Sequence, residues 1–363
     1  MTVSLDTLPC ADGFRMPGEH EPQQAVLMIW PERPDNWRDN ARHAQQQFVE
    51  VASAIAEVTP VFMCVNPDQI NNARAQLPAS VTVLDIASDD SWMRDVGPTY
   101  VINDAGKVRG VDWQFNAWGG ELDGLYSPWD RDAAVAEGVL ELRGEDRYAA
   151  PLILEGGSIH VDGEGTLYTT EECLLHPSRN PGLSRGDIEA LLADYLSVEK
   201  FIWLKRGLYN DETNGHVDNL LHVVSPGEVV LSWCDDVGDP MYEICREAWA
   251  TLSGQNDARG REIIIHKLPI PGPLYMSEEE FGGLSSSGHA NRRAGERLGG
   301  SYVNFLISNG RIICPQLDPA RDQQAIDILQ ALFPAHEVVG VNSREILLGG
   351  GNIHCITQHI PRG

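Results

Sequence analysis

The sequence predicts an α/β chain whose five β/α units close on themselves as a five-bladed propeller, a single domain over residues 1–363. Three observations lead there. Five segments share one phase, a polar or chemically active residue near a glycine followed by an apolar strand, and four of them continue through a turn into a second strand. Amphipathic helical stripes and a further apolar strand separate these segments. No Pro- or Ser-rich linker or low-complexity stretch interrupts the series. Units too short to bury their own apolar faces must stack on their neighbours, and pseudo-fivefold units of this kind do so around a common axis.

Each element has its own signal. The stretch Asn40 to Val58 carries Phe48, Val51, Ile55 and Val58 at three- and four-residue spacing, which predicts a helix packed by one face, and the strand Thr59 to Val65 follows. The first hairpin is RDVGPTYVINDAGKVRGVDW from Arg94, turning over Asn103 to Gly106. The second is LEGGSIHVDGEGTLYTT from Leu154, turning at Asp162-Gly163, followed by a helical stripe over Ile188 to Leu196 and the strand Phe201 to Leu204. NGHVDNLLHVVSPGEVVLSW from Asn214 turns at Pro226-Gly227 and leads to the stripe Tyr242 to Leu252 and the strand Glu262 to Leu268. GGSYVNFLISNGRIICP from Gly299 turns at Asn309-Gly310 and precedes the stripe Ala325 to Leu332 and the strand Val338 to Val341. GGGNIHCITQ from Gly349 is the fifth segment. The loop Gly272 to Gly300, rich in Gly, Ser and charge, reads as a surface excursion able to cover a site.

Composition narrows the function. A hydrophobic share of 42% and a charged share of 22% describe a chain able to bury a large core. The formal net charge of −26 argues against nucleic acid and anionic membrane as partners, since both require basic patches; it is compatible with drawing in a cationic small molecule, and equally with an acidic surface that only keeps the chain soluble. No apolar run is long enough to span a membrane. The N-terminal MTVSLDTLPCADGFR has neither a basic start nor an apolar h-region, and seven cysteines without CxxC spacing argue against a disulfide framework or a structural zinc site. A reducing cytoplasm is the expected compartment. A homo-oligomer is left open.

The phase gathers chemistry at one place. Asp95, Glu155, the pair His216 and Asp218, and Cys355 stand near the starts of four different segments, while the segment around Tyr302 offers no ionisable group there. In a closed ring these positions face one axis. A thiolate is a strong nucleophile, and the glycines before Cys355 let a ligand approach closely. Two carboxylates, here Asp95 and Asp218, clamp a planar guanidinium bidentately. His216 is placed to protonate a leaving nitrogen and then to take a proton from water, with Glu155 orienting the imidazole or the water. The product is a urea-type compound and ammonia, with no cofactor and no metal required.

Plainer readings exist for each residue. A lone cysteine is a small buried hydrophobe, Arg94-Asp95 a local ion pair, and Glu155 a turn acceptor. His-x-Asp on a strand points both side chains to one face, which also suits a metal, but no third ligand lies at short spacing. His160, His222 and His354, on predicted strands, read as core or supporting histidines. The run at Gly349 lacks the Lys-Ser/Thr and the helix of a phosphate loop.

With these residues in place, the chain resembles the agmatine deiminases of the guanidino-group-modifying (pentein) superfamily over most of its length. The motifs are DGFRMPGEHEP (Asp12 to Pro22), WPERPDNWR (Trp30 to Arg38), SWMRDVGPT, FNAWGG, LEGGSIH, ETNGHVDN and GGGNIHC, in that order. The resemblance implies a five-bladed β/α propeller and hydrolysis of agmatine to N-carbamoylputrescine and ammonia, a step in polyamine metabolism. It carries nucleophile onto Cys355, acid/base onto His216, and guanidinium-binding or proton-handling roles onto Asp95, Glu155 and Asp218. The distal amine of agmatine calls for acidic and aromatic neighbours, for which Glu212 and Trp92, then Trp118 and Asp211, are the candidates. Packing is the alternative for both tryptophans. Three rival functions remain in view: deimination of arginine or peptidyl-arginine, amide hydrolysis by Cys355, His216 and Asp218, and a non-catalytic propeller that binds a partner. The additional carboxylates oppose the second, because they repel a developing oxyanion.

Overall fold

Five small sheets follow one another along the chain in a computed structural model that describes residues 2–285 and 292–363. Blade one pairs Thr99–Asn103 antiparallel with Val108–Gln114 and then parallel with Arg147–Ile153, with the short Phe14–Arg15 added at its edge. Blade two is Ile159–Val161, Thr166–Thr170 and Lys200–Leu204; blade three is Leu221–Ser225, Glu228–Trp233 and Ile264–Pro269. Blade four is Leu306–Ser308, Arg311–Gln316 and Glu337–Asn342. In each, the first two strands form an antiparallel hairpin and the third returns parallel after a helix. The hairpin turns fall where the dipeptides place them, and Gly227 and Gly310 adopt φ of 80° and 77°, a left-handed backbone that side chains disfavour.

Blade five closes the ring from both ends of the chain. Gln358–Pro361 pairs antiparallel with Gln23–Ile29, which continues parallel through Val61–Val65 to Val81–Asp85. The fold is thus the five-bladed α/β propeller that the repeats predict. Its last strand begins only at Gln358, so Gly349 to Cys355 is turn rather than strand.

Helices cover the outside of the sheets because their apolar faces match. On Arg42–Ala56 the stripe Phe48, Val51 and Ile55 is fully buried, whereas Val58 lies beyond the helix end and is exposed. Arg185–Leu196, Met241–Leu252 and Asp322–Leu332 occupy the predicted stripes. The corresponding helix of blade one, Val135–Arg143, is legible only in hindsight. It buries Val135, Ala136, Val139 and Leu140, but Gly138 interrupts its pattern. No helix among the described residues is long and apolar enough to cross a membrane. The centre of the predicted Gly272 to Gly300 excursion, residues 286–291, lies outside the described residues.

Candidate active site

Every blade delivers at least one polar group just before the first strand of its hairpin, and blade three delivers two. Asp95 sits in the single turn Met93–Val96 ahead of Thr99–Asn103, and Glu155 precedes the 3-10 turn Gly156–Ser158 ahead of Ile159–Val161. His216 and Asp218 flank and enter the 3-10 turn Val217–Asn219 ahead of Leu221–Ser225. This corrects the expectation that His-x-Asp lies on a strand: a 3-10 turn, not a pleat, brings the two side chains together. Asn304 stands before Leu306–Ser308, and Cys355 before Gln358–Pro361.

The predicted five do meet. His216 Nδ1 lies 3.8 Å from Asp95 Oδ1, and Nε2 lies 3.5 Å from Glu155 Oε2. Cys355 Sγ is 3.6 Å from Asp218 Oδ2. A methyl group added to Gly157 would touch three of them at once, 2.6 Å from His216 Nδ1 and 3.0 Å from both Asp218 Oδ2 and Asp95 Oδ1. One added to Gly351 would fall 2.5 Å from the Trp92 ring and 3.1 Å from Cys355 Sγ. Glycine at both places leaves the approach to the sulfur open.

Two of the three carboxylates are held by one oxygen and lack a hydrogen-bond partner at the other among the described residues. Arg179 Nε donates to Glu155 Oε1 at 2.7 Å, while Glu155 Oε2 has no hydrogen-bond partner among the described residues. His354 Nδ1 lies 2.8 Å from Asp218 Oδ2, while Asp218 Oδ1 is likewise unpartnered. Asp95 is fixed at both, by Trp118 Nε1 at 2.9 Å and the Gly157 amide at 2.9 Å. A buried acceptor without a donor is costly in isolation; Glu155 Oε2 has His216 Nε2 3.5 Å away, which leaves Asp218 Oδ1 as the acceptor with no donor beside it among the described residues.

Electrostatics follow from burial among acids. Desolvation raises Asp95 to about 6, opposed by His216 and reinforced by Asp218 and Glu155. Burial alone would lower His216, but Asp95 and then Cys173 and Glu155 carry it well above the ordinary histidine range, so the ring is an imidazolium at neutral pH. Burial also opposes ionisation of Glu155 and Asp218, yet Arg179 and His216 hold the first below its usual value, and His354 holds the second. The Cys355 thiol is pushed well up, first by burial and then by Asp218 and Asp95. Before a cation binds, the sulfur is therefore a thiol.

Sequence reasoning missed four contributors. Asn304 Nδ2 donates to Cys355 Sγ at 3.1 Å, and its Oδ1 accepts from the His354 amide at 3.0 Å. It occupies the slot of the fourth segment, where the repeat phase points to an amide rather than an ionisable group. Arg179 carries no repeat signal at all; it reaches Glu155, the Asn214 side chain and the Thr213 and Trp118 carbonyls from the loop after blade two's hairpin. Cys173 is a second buried thiol beside His216. Glu19 belongs to the DGFRMPGEHEP motif and contacts His354 and Arg94.

The distal-amine candidates fare differently. Trp118 is committed to Asp95, and Trp92 packs on Trp37 with centroids 5.3 Å apart while facing Gly351. Asp211 is capped by Thr213 and Asn219. Glu212 is paired through both oxygens with Arg292, Nε at 3.0 Å and Nη2 at 2.7 Å. Arg292 also donates to the Leu348 and Gly349 carbonyls, tying Glu212 to the turn that leads to Cys355. Any amine binding at Glu212 must share that carboxylate.

His160 and His222 lie on strands as predicted, but His354 lies in the turn before the closing strand. The fold also supplies what short spacing could not: Glu19, His160, His222 and His354 offer donor atoms within 4.8 Å of one another, as do Glu155, Cys173 and His216. In each group an arginine already pairs with the carboxylate, Arg94 with Glu19 and Arg179 with Glu155, both at 2.7 Å. A buried guanidinium so close opposes a divalent cation.

The chain as a whole resembles known proteins. The model of the Porphyromonas-type peptidyl-arginine deiminase family matches residues 15–361. The chain is 63% identical over 362 residues to a protein of Photobacterium profundum named "Putative agmatine deiminase", covering 100% of both. A solved agmatine deiminase of Enterococcus faecalis superposes with a TM-score of 0.97 at 46% identity, covering 100% of both chains. A substrate-bound C. Jejuni agmatine deiminase carrying a cysteine-to-serine change gives a TM-score of 0.83 at 25% identity over 96% of this chain and 97% of that one.

Proposed function

The chain belongs to the Porphyromonas-type peptidyl-arginine deiminase family, and we propose that it hydrolyses the guanidinium of agmatine to N-carbamoylputrescine and ammonia through a covalent adduct on Cys355. The observation that carries this reading is the ring of three buried carboxylates around one thiol and one imidazole, two of them with one oxygen lacking a hydrogen-bond partner among the described residues. The Enterococcus faecalis agmatine deiminase at 46% identity, and the relative at 63% that carries the name "Putative agmatine deiminase", favour agmatine over arginine as substrate. Seven cysteines without a disulfide support a reducing compartment.

The steps follow from the charges. A guanidinium seated against Asp218 and Asp95 offsets the negative field that holds the Cys355 thiol protonated, and the thiol releases its proton to solvent as the cation enters. The thiolate attacks the central carbon, forming a C–S bond and a neutral tetrahedral adduct. His216, an imidazolium, gives its proton to one nitrogen, the C–N bond breaks and ammonia leaves. The remaining thiouronium is attacked by water, whose proton returns to His216, with Glu155 steadying the ring through Nε2. The C–S bond then breaks, the carbonyl forms, and the second water proton restores the thiol. Guanidinium and water become urea, ammonia and one proton.

The direct test is ureido-product formation with agmatine, arginine and a peptidyl-arginine measured side by side. Turnover of agmatine in preference to the other two is expected. Turnover of arginine or peptide instead, or of none, rejects the proposal.

A pH profile tests the electrostatics. Asp95 is ionised only above its folded value of about 6, and its charge is needed to hold the cation. The ratio kcat/KM should fall about tenfold per unit as pH drops below that point. Loss of the His216 proton at high pH should give the opposing limb. A profile flat from neutrality down to about pH 4 would remove Asp95 from the clamp.

A further inference from the structure

The N-terminal motif DGFRMPGEHEP enters no step above, yet it sends one carboxylate into the interior behind the site. Glu19 is nearly buried, with 9% of its side chain exposed, and Arg94 Nη1 donates to its Oε1 at 2.7 Å. His354 Nε2 lies 2.9 Å from the same oxygen, while His354 Nδ1 lies 2.8 Å from Asp218 Oδ2. Both ring nitrogens thus face carboxylates, and only an imidazolium donates from both. The result is an alternating chain of charges, Arg94, Glu19, His354 and Asp218, that ends beside Cys355 Sγ at 3.6 Å.

We propose that Glu19 and His354 are positioning residues, a buried brace that fixes both the direction and the charge of Asp218 so that its free oxygen, Oδ1, meets the guanidinium. The inference rests on the reading that Asp218 binds that cation. Geometry carries it. With Oδ2 held by His354 on one side, rotation of the carboxylate is stopped and Oδ1 is the oxygen left bare. Arg94 links the same brace to the nucleophile, since its amide donates to the Cys355 carbonyl at 3.1 Å. The charged and titratable groups facing His354 are Asp218, Glu19, His160 and His222, with Arg94 and His359 across Glu19. Those facing Asp218 besides His354 are Cys355, His216, Arg94 and Asp95. Of all these, His354 alone among the cations contacts the Asp218 carboxylate within hydrogen-bond distance among the described residues. A rival view makes Glu19 merely the counter-ion of Arg94.

His354→Asn and Glu19→Gln separate the two. Asparagine keeps a neutral donor near the Nδ1 position but no charge; glutamine keeps acceptor and shape but removes the anion that favours the imidazolium. Kinetics with agmatine from about pH 5 to about pH 9, with thermal melting and Cys355 thiol titration, form the experiment. For His354→Asn the brace predicts KM raised about tenfold with kcat changed no more than about threefold, and the acid limb of kcat/KM made steeper, because Asp218 loses the cation that keeps it ionised and begins to titrate beside Asp95. Glu19→Gln should move KM the same way by a smaller factor. A packing role instead lowers the melting midpoint and the titratable thiol, with KM and limb unmoved in the active fraction. Should His354→Asn fail to fold, Glu19→Gln decides. Wild-type turnover with KM and limb unchanged in the folded variants overturns the brace alone. Absence of wild-type turnover overturns the deiminase reading and the brace with it.

Discussion

Cys355→Ser is expected to abolish ureido-product formation, by about four orders of magnitude or more, while agmatine binding stays measurable by calorimetry. The substitution is close to isosteric, so Asn304 can still donate to the side-chain atom it meets at 3.1 Å in the native protein. Chemistry, not shape, is what disappears. The thiol is already pushed up by burial, Asp218 and Asp95, and ionises only because the incoming cation offsets those two acids. A hydroxyl starts several units higher still, beyond what that offset can reach. Cys355→Ala should be equally inactive. Ureido product from either variant at more than about one per cent of the native rate would require another nucleophile, for which the buried Cys173 beside His216 is the nearest thiol to suspect.

Gly157→Ala should cost nearly as much, about three orders of magnitude in kcat/KM, with the fold retained. Its added methyl would sit 2.6 Å from His216 Nδ1 and 3.0 Å from Asp218 Oδ2 and Asp95 Oδ1. None of these is the far end of a flexible chain: Asp95 is pinned by Trp118 and Asp218 by His354. The imidazole must move, and a displacement of about an ångström in a group that shuttles protons is expensive. Gly157 does not lie among the positive-φ glycines, so alanine brings no backbone strain. Circular dichroism and thermal melting of the variant should therefore look native. Activity within tenfold of wild type would show that the site has more room than the geometry allows.

The architecture was legible because hairpin dipeptides and helical stripes repeat in phase. Asp162-Gly163, Pro226-Gly227 and Asn309-Gly310 each mark an observed turn between antiparallel strands. The blade-one helix was not, because Gly138 breaks a short stripe that only tertiary packing rescues. Strand Gln23–Ile29 escaped assignment since its hairpin partner lies at the opposite end of the sequence. The meeting of Cys355, His216 and the three acids followed from phase alone. Their supports did not. Arg179 and Arg292 come from irregular loops with no periodicity, and Glu212, chosen for its charge, turns out to be paired with one of them. Partner choice among charged side chains depends on loop paths, which no local pattern encodes.

Blade five holds a consequence for how the protein comes into being. During translation the strand Gln23–Ile29 emerges early and then waits with an open hydrogen-bonding edge until Gln358–Pro361 is made. Joining segments so far apart carries a high contact-order penalty, so ring closure is the expected slow step of folding. Of the five groups gathered at the axis, the Cys355 sulfur is the last to leave the ribosome, just ahead of the strand that docks to end the wait. Under the proposed mechanism a nascent chain therefore carries its acids and imidazole without a nucleophile, and the event that seals the ring is also the one that arms it.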